Sequence, residues 1–255
     1  MRLLTEARRT PRTPRTWWAR RLDPESSLGL RLTLAASAAA LILIPFSVIA
    51  MLVISAWWPL RSVDESLADA LHTFAVSRPG WVDAVQTWTD TFGPGPLRIA
   101  VVVGAALLWL RGAHRVALWA VTTIAAGGLL GFLLKLLFGR DRPDFLDPVS
   151  SAPGYSFPSG HSMTAAVASA VLLLMLLPLT DRLPYRRTVR AVMWALALAV
   201  AVGTGLSRIA LGVHWMSDVL GGWIIGIAVV AATTAAFETW RGSVRAPITE
   251  GVREA

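Results

Sequence analysis

Six apolar runs constrain this chain more than any other feature. They fall at about Leu32–Trp57, Pro96–Leu110, Val116–Phe138, Ser162–Leu179, Ala191–Leu206 and Val219–Phe237. At 1.5 Å per helical residue, a run of about 20 residues crosses the roughly 30 Å hydrocarbon layer of a bilayer. Inside that layer every backbone polar group needs an internal partner, so the segments are expected to be helices. The expected fold class is therefore an all-α integral membrane protein with six transmembrane helices. The run at Pro96–Leu110 is the shortest, and Pro45 is expected to kink the first.

Between the first two spans the chain is mixed rather than uniformly apolar. Ser62 with Glu65 three positions on reads as a capping box, and Leu67, Leu71 and Phe74 follow at helical spacing. A second piece carries Trp81, Val85, Trp88 and Phe92. Both pieces are expected to form an amphipathic interfacial segment, the alternative being helices packed on the bundle. Residues 1–28 hold seven arginines broken by Pro11, Pro14 and Pro24, and read as a basic cytoplasmic tail. Residues 29–240 are the six-span domain and residues 241–255 a short cytoplasmic tail. The first apolar run is too long for a signal core and lacks a clear cleavage site.

The net charge of +8 is explained by topology. Basic clusters at the amino terminus, at Arg111–Arg115 and at Arg182–Arg190 all fall on one side of a six-span arrangement, which the positive-inside rule makes cytoplasmic. No aromatic-interleaved basic patch accompanies them, so no nucleic-acid partner is expected. The membrane is expected to be the plasma membrane. With no cysteine, disulfides and thiolate metal sites are excluded.

Three polar segments share the opposite, extracytoplasmic side. The first contains Lys135, the sole lysine of the chain, and Arg142, in the sequence Lys-x6-Arg-Pro. A lysine near a span end can simply snorkel. Two arginines following at once on the side the charge rule disfavours need another reason. The second segment is Pro158-Ser159-Gly160-His161, where the fourth span begins. A helix amino terminus offers unpaired N–H groups to an anion, Ser159 is a favourable N-cap, and Gly160 lets a ligand approach the backbone. Capping alone would also account for this tetrapeptide. The third segment supplies Arg208, His214 and Asp218 between two apolar runs, where ionisable groups are costly and point to function. The i,i+4 spacing of His214 and Asp218 predicts that they share a helix face.

Taken together, these residues suit phosphoryl transfer, which needs its equatorial oxygens neutralised and the attacking and leaving atoms held in line. Lys135, Arg142 and Arg208 supply positive charge, the arginines through planar forks. The Ser159 hydroxyl and Gly160 N–H add donors. His214 is the expected nucleophile, with Asp218 fixing its tautomer and orientation. His161 is the expected acid for the leaving oxygen and then the base for water. No metal and no cofactor are expected.

The sequences Lys135-x6-Arg142-Pro143, Pro158-Ser159-Gly160-His161 and Ser207-Arg208-x5-His214-x3-Asp218 resemble the three-part signature of the type 2 phosphatidic acid phosphatase (PAP2) family. Vanadium-dependent haloperoxidases share that pocket, but the six spans disfavour that activity here. The resemblance implies metal-independent dephosphorylation of lipid phosphates or diphosphates. Candidate substrates are polyprenyl diphosphates such as the undecaprenyl carrier, phosphatidic acid and phosphatidylglycerol phosphate. The alternatives are a phosphotransferase using the same site, and an inactive lipid-binding or transport protein. Arg140 and Asp141 occupy positions the signature leaves free and receive no role.

Overall fold

The computed structural model describes residues 43–243, whose regular structure is all helical, with no strand among the described residues. The basic amino-terminal stretch, the start of the first expected span and the tail from residue 244 lie outside them. Helix α1 covers Leu43–Ile54 and meets α2, Trp58–Val76, at 85°. The bend falls at Ala56, whose φ is 48°. Then come α3, Pro79–Thr91, α4, Pro94–Leu110, and α5, His114–Phe138. Helix α6 is Gly160–Leu176, closed by a 3₁₀ turn at Leu177–Thr180. Helices α7, Arg186–Ala210, and α8, Met216–Ser243, complete the bundle. Among the described residues five helical segments are long and apolar enough to cross a membrane, or six if α1 and α2 count as one bent span.

Several local expectations change. The expected capping box at Ser62 is absent, because α2 begins at Trp58 with proline in its first turn, where a missing N–H and a fixed φ are tolerated. Ser62 therefore sits inside the helix, and Glu65 pairs with Arg61 at 2.7 Å. The inner face of α2 is Asp64, Ala68 and Ala75, whereas Phe74 is exposed and meets Trp81 edge-on. Helix α3 packs on the bundle: a Cβ at Gly203 of α7 would come within 2.8 Å of the Trp88 ring. Only Phe92 and Gly93 separate α3 from α4, so the second expected span is part of a longer segment, Pro79–Leu110.

Helix α6 is the axis of the core, with Met163, Ala165, Val167, Ala168 and Val171 all buried. Its neighbours reach it through glycines. A Cβ at Gly222 of α8 would lie 2.6 Å from the Ser159 carbonyl oxygen, and one at Gly226 would lie 3.1 Å from that of Met163. On α5, Gly127 and Gly131 face Val167 and Met163. Close helix approach through small residues thus centres the start of α6 between α5 and α8. All three motif segments lie at this end of the bundle, and the basic loops Arg111–Arg115 and Arg182–Arg190 lie at the other.

Candidate active site

Helix α5 ends at Gly139, which takes the left-handed conformation (φ 57°) that glycine adopts without penalty, and its N–H bonds the Lys135 carbonyl. This places Lys135 in the last turn. Its Nζ donates to the Tyr155 carbonyl at 2.8 Å. The loop that follows folds back through Ser156, whose N–H donates to the Arg140 carbonyl at 2.8 Å. Ser159 caps α6, accepting from the Ser162 N–H at 3.4 Å, and its own N–H donates to the Asp218 carbonyl at 2.9 Å. That bond ties the start of α6 to the start of α8. A Cβ on Gly160 would meet only Lys135 Cε, at 3.9 Å, so the protein itself does not require glycine there.

His214 and Asp218 do meet, but not on one helix face as the spacing predicted. His214 lies in the turn before α8, and Asp218 is the third residue of that helix. Asp218 Oδ2 accepts both from the Trp215 N–H at 2.9 Å, which is the back-reaching half of a capping box, and from His214 Nδ1 at 3.2 Å. On the other side of the ring, Nε2 lies 3.0 Å from Arg142 Nη1. A guanidinium only donates, so Nε2 is the accepting nitrogen and Nδ1 carries the proton. Burial holds the His214 imidazole well below its ordinary range, down to about 4; Asp218 opposes the shift, while Arg142 and Lys135 add to it. The ring is neutral at pH 7, and its contact with Asp218 is a hydrogen bond to a carboxylate rather than an ion pair.

The cations differ in what they have left to offer. Arg142 uses all five donors: Nε to Gly154 O, Nη1 to Val213 O and His214 Nε2, and Nη2 to Pro153 O and Tyr155 O, at 2.6–3.2 Å. Burial lowers its proton affinity, against the pull of Asp218. Arg208, 4% exposed in the last turn of α7, makes one hydrogen bond, from Nη1 to Thr89 Oγ1 at 3.3 Å, and its buried Nε has no partner among the described residues. His161, in the first turn of α6, also has no hydrogen-bond partner among the described residues. It is within electrostatic reach of Arg208, His214, Lys135 and Arg142. Every residue expected from the sequence to form the site is thus gathered at this one end of the bundle.

Sequence reasoning missed Arg140, Asp64, Ser217 and Thr89. Arg140 donates to Asp218 Oδ1 and Ser217 Oγ at 2.7 Å through Nη1, and to Asp64 Oδ2 at 2.8 Å through Nη2. Asp64 had a legible signal: with Ala68, Leu71 and Ala75 it falls at i, i+4, i+7 and i+11, a carboxylate on the inward stripe of an amphipathic helix. Thr89 carried none. Among the described residues no three His, Asp or Glu side chains are grouped to hold a metal ion.

The family model for the PAP2 superfamily matches residues 116–241, which contain all three motif segments. Phosphatidylglycerophosphatase B of Bacillus subtilis is 32% identical over 169 residues, 66% of this chain and 79% of that protein. The chain belongs to the PAP2 superfamily. The undecaprenyl-diphosphatase of Sulfolobus acidocaldarius is 29% identical over 49% of this chain and 57% of its own length. The lipid A 1-phosphatase of Rhizobium etli is 35% identical over 41% of this chain and 43% of its own length. The crystal structure of a transmembrane PAP2-type phosphatidylglycerolphosphate phosphatase from Bacillus subtilis superposes with a TM-score of 0.69 at 26% identity, covering 79% of this chain and 96% of that one. As a PAP2 member embedded in the membrane by its apolar helices, the protein is a phosphatase.

Proposed function

We propose that the protein hydrolyses a membrane lipid phosphate or diphosphate through a phosphohistidine on His214, without a metal ion. The observation that carries this reading is the tautomer: the Nδ1 proton is held by Asp218, and the Nε2 lone pair points towards the cations. Nε2 attacks phosphorus as the bond to the leaving oxygen breaks, and His161, which enters the step as imidazolium, gives that oxygen its proton and is left neutral. The neutral His161 then takes a proton from water, whose oxygen attacks the phosphohistidine and returns Nε2 with its lone pair. For phosphorus to reach Nε2, the Arg142 Nη1–H moves from that nitrogen to a phosphoryl oxygen. Lys135, Arg208 and the Gly160 N–H take the remaining oxygens, the place a metal fills elsewhere.

The lipid class follows from the relatives, whose names cover a glycerophospholipid phosphate, a polyprenyl diphosphate and a lipid A phosphate. Substrates of such different tails share a phosphoryl headgroup at the bilayer surface, and headgroup chemistry is what the site provides. In this reading α1 belongs to the first span, and the 85° bend lays α2 along the membrane surface, giving six spans in all. The basic loops at the far end support a site outside the cytoplasm with both termini within it, by the positive-inside rule.

Purified protein in detergent, given phosphatidylglycerol phosphate, undecaprenyl diphosphate and phosphatidic acid in EDTA, is expected to release inorganic phosphate from at least one. Loss of all turnover on chelation contradicts the metal-free chemistry, and transfer of the phosphate to an added alcohol in place of water identifies a phosphotransferase. A Ser151→Cys variant is expected to react with an impermeant thiol reagent applied to intact cells. Labelling only after permeabilisation reverses the orientation.

A further inference from the structure

We propose that Asp64 is a positioning residue for His214, acting through Arg140 and Asp218. This rests on the reading of His214 as nucleophile and adds a part of the site that the three motifs do not contain. The four side chains form a chain of alternating charge from α2 to the nucleophile: Asp64 Oδ2 to Arg140 Nη2 at 2.8 Å, Arg140 Nη1 to Asp218 Oδ1 at 2.7 Å, and Asp218 Oδ2 to His214 Nδ1 at 3.2 Å. Asp64 is 1% exposed and Asp218 fully buried, so neither carboxylate is screened by water. In so dry a place a charge is kept only when paired and hydrogen-bonded.

The geometry divides one guanidinium between two carboxylates. A fork facing Asp218 alone would bind it bidentately and draw its negative charge away from the imidazole. Asp64 takes one arm of the fork and offsets half of that pull, leaving Oδ2 of Asp218 free for the ring and for the Trp215 N–H. Asp64 also accepts from the Ser217 N–H at 3.0 Å and the Ser217 hydroxyl at 2.5 Å, which fixes the residue beside Asp218 in the first turn of α8. The remaining titratable groups that act on His214 come from other elements: Lys135 on α5, Arg142 on the following loop and His161 on α6. All three are cationic or basic. On the far side of Arg140, a cavity of about 340 Å³ is lined by Asp64, Arg140, Asp141 and Trp215 together with Arg61 and Glu65 of α2, so the chain of charge is reachable from the α1–α2 elbow.

The test is the acid limb of kcat/KM, which reports the proton affinity of the attacking base in the free enzyme. Asp64→Asn keeps the size and an acceptor for Ser217 but leaves Arg140 unopposed. Asp218 then holds the His214 proton less well, and the acid limb is expected to move to lower pH by about 0.5–1 unit, with kcat about 10-fold lower and KM within about 3-fold. Arg140→Gln frees Asp218 from its cation, and the limb is expected to move to higher pH. Opposite displacements are a result that loss of fold does not produce. Limbs that stay put, or that move in the same direction, overturn the proposal. Should Asp64→Asn not purify as a monodisperse protein, Arg140→Gln alone decides by its sign. A His214→Ala protein that retains turnover defeats the underlying reading instead, whereas an inactive His214→Ala with unmoved limbs in the other two defeats this inference only.

Discussion

The two sides of the pocket are built in opposite ways. On the α8 side, around His214, almost every donor and acceptor is used: Asp218 accepts from His214, Trp215 and Arg140, and Arg142 spends five N–H groups. On the side made by α3, α6 and α7, Arg208 has a buried Nε without a partner and His161 has no hydrogen bond at all among the described residues. Buried polar groups are normally satisfied, so unspent donors at this end of the bundle call for a ligand. The contrast matches the division of labour in the proposed mechanism, in which one side holds the attacking nitrogen still and the other binds the oxygens that arrive with the substrate.

The largest effect is expected at the nucleophile. His214→Ala should lower kcat by ~10⁵-fold or more, since in the proposed mechanism no other side chain replaces the covalent step. Asp218→Asn, which frees the imidazole to take the wrong tautomer, should lower kcat by up to ~10⁴-fold with little change in KM. Phosphate release under single-substrate conditions measures both.

The two arginines then sharpen the comparison. Arg208→Met should reduce kcat/KM by ~10²-fold while leaving the melting temperature nearly unchanged, because it removes only one long hydrogen bond within the protein. Arg142→Met should also unfold at lower temperature, since it orphans the Gly154, Val213 and Pro153 carbonyls at ~1 kcal/mol or more each where they are buried. Equal melting temperatures for the two variants would remove the distinction between a built side and a waiting side. A smaller effect is expected at the junction between the two sides. Gly222→Ala places a Cβ 2.6 Å from the Ser159 carbonyl and should destabilise by ~1–3 kcal/mol with a modest loss of activity, read from thermal unfolding and turnover.

The pH profile separates the halves in another way. Attack requires neutral His214, whose proton affinity burial has lowered to about 4. Protonation of His214 is therefore expected to cut activity only as pH passes through about 4. An acid limb near 6.5, the value of a solvated histidine, would show that the ring is not buried in the working enzyme.

The sequence made the site legible because its residues are chemically expensive where they stand. Lys135, Arg208, His214 and Asp218 each interrupt or border an apolar run, and such interruptions point to function. The pairs Gly127/Gly131 and Gly222/Gly226 that face α6 stand at the four-residue spacing that marks close helix packing. Less could be read where polar residues were already common. Arg140 stood among other charges in a loop, and its partner Asp64 lies 76 positions away, so the inward stripe of α2 marks the carboxylate but does not name its partner. The bend at Ala56 and the junction of α3 with α4 were likewise decided by how the pieces pack rather than by local propensity. His214 and Asp218 were paired correctly for the wrong geometric reason, because an i,i+4 spacing also fits a turn followed by a capped first helical turn.

The central claim is that His214 Nε2 takes up the phosphoryl group, and a quenched single-turnover reaction tests it most directly. An aryl phosphate, whose leaving group needs no proton, should load the His161→Ala variant, which lacks the base for the second step. Peptide mapping of the quenched protein is expected to find an acid-labile, alkali-stable phosphate on His214. Phosphate on any other residue, or turnover of labelled substrate with no phosphoenzyme on the quench timescale, contradicts the account.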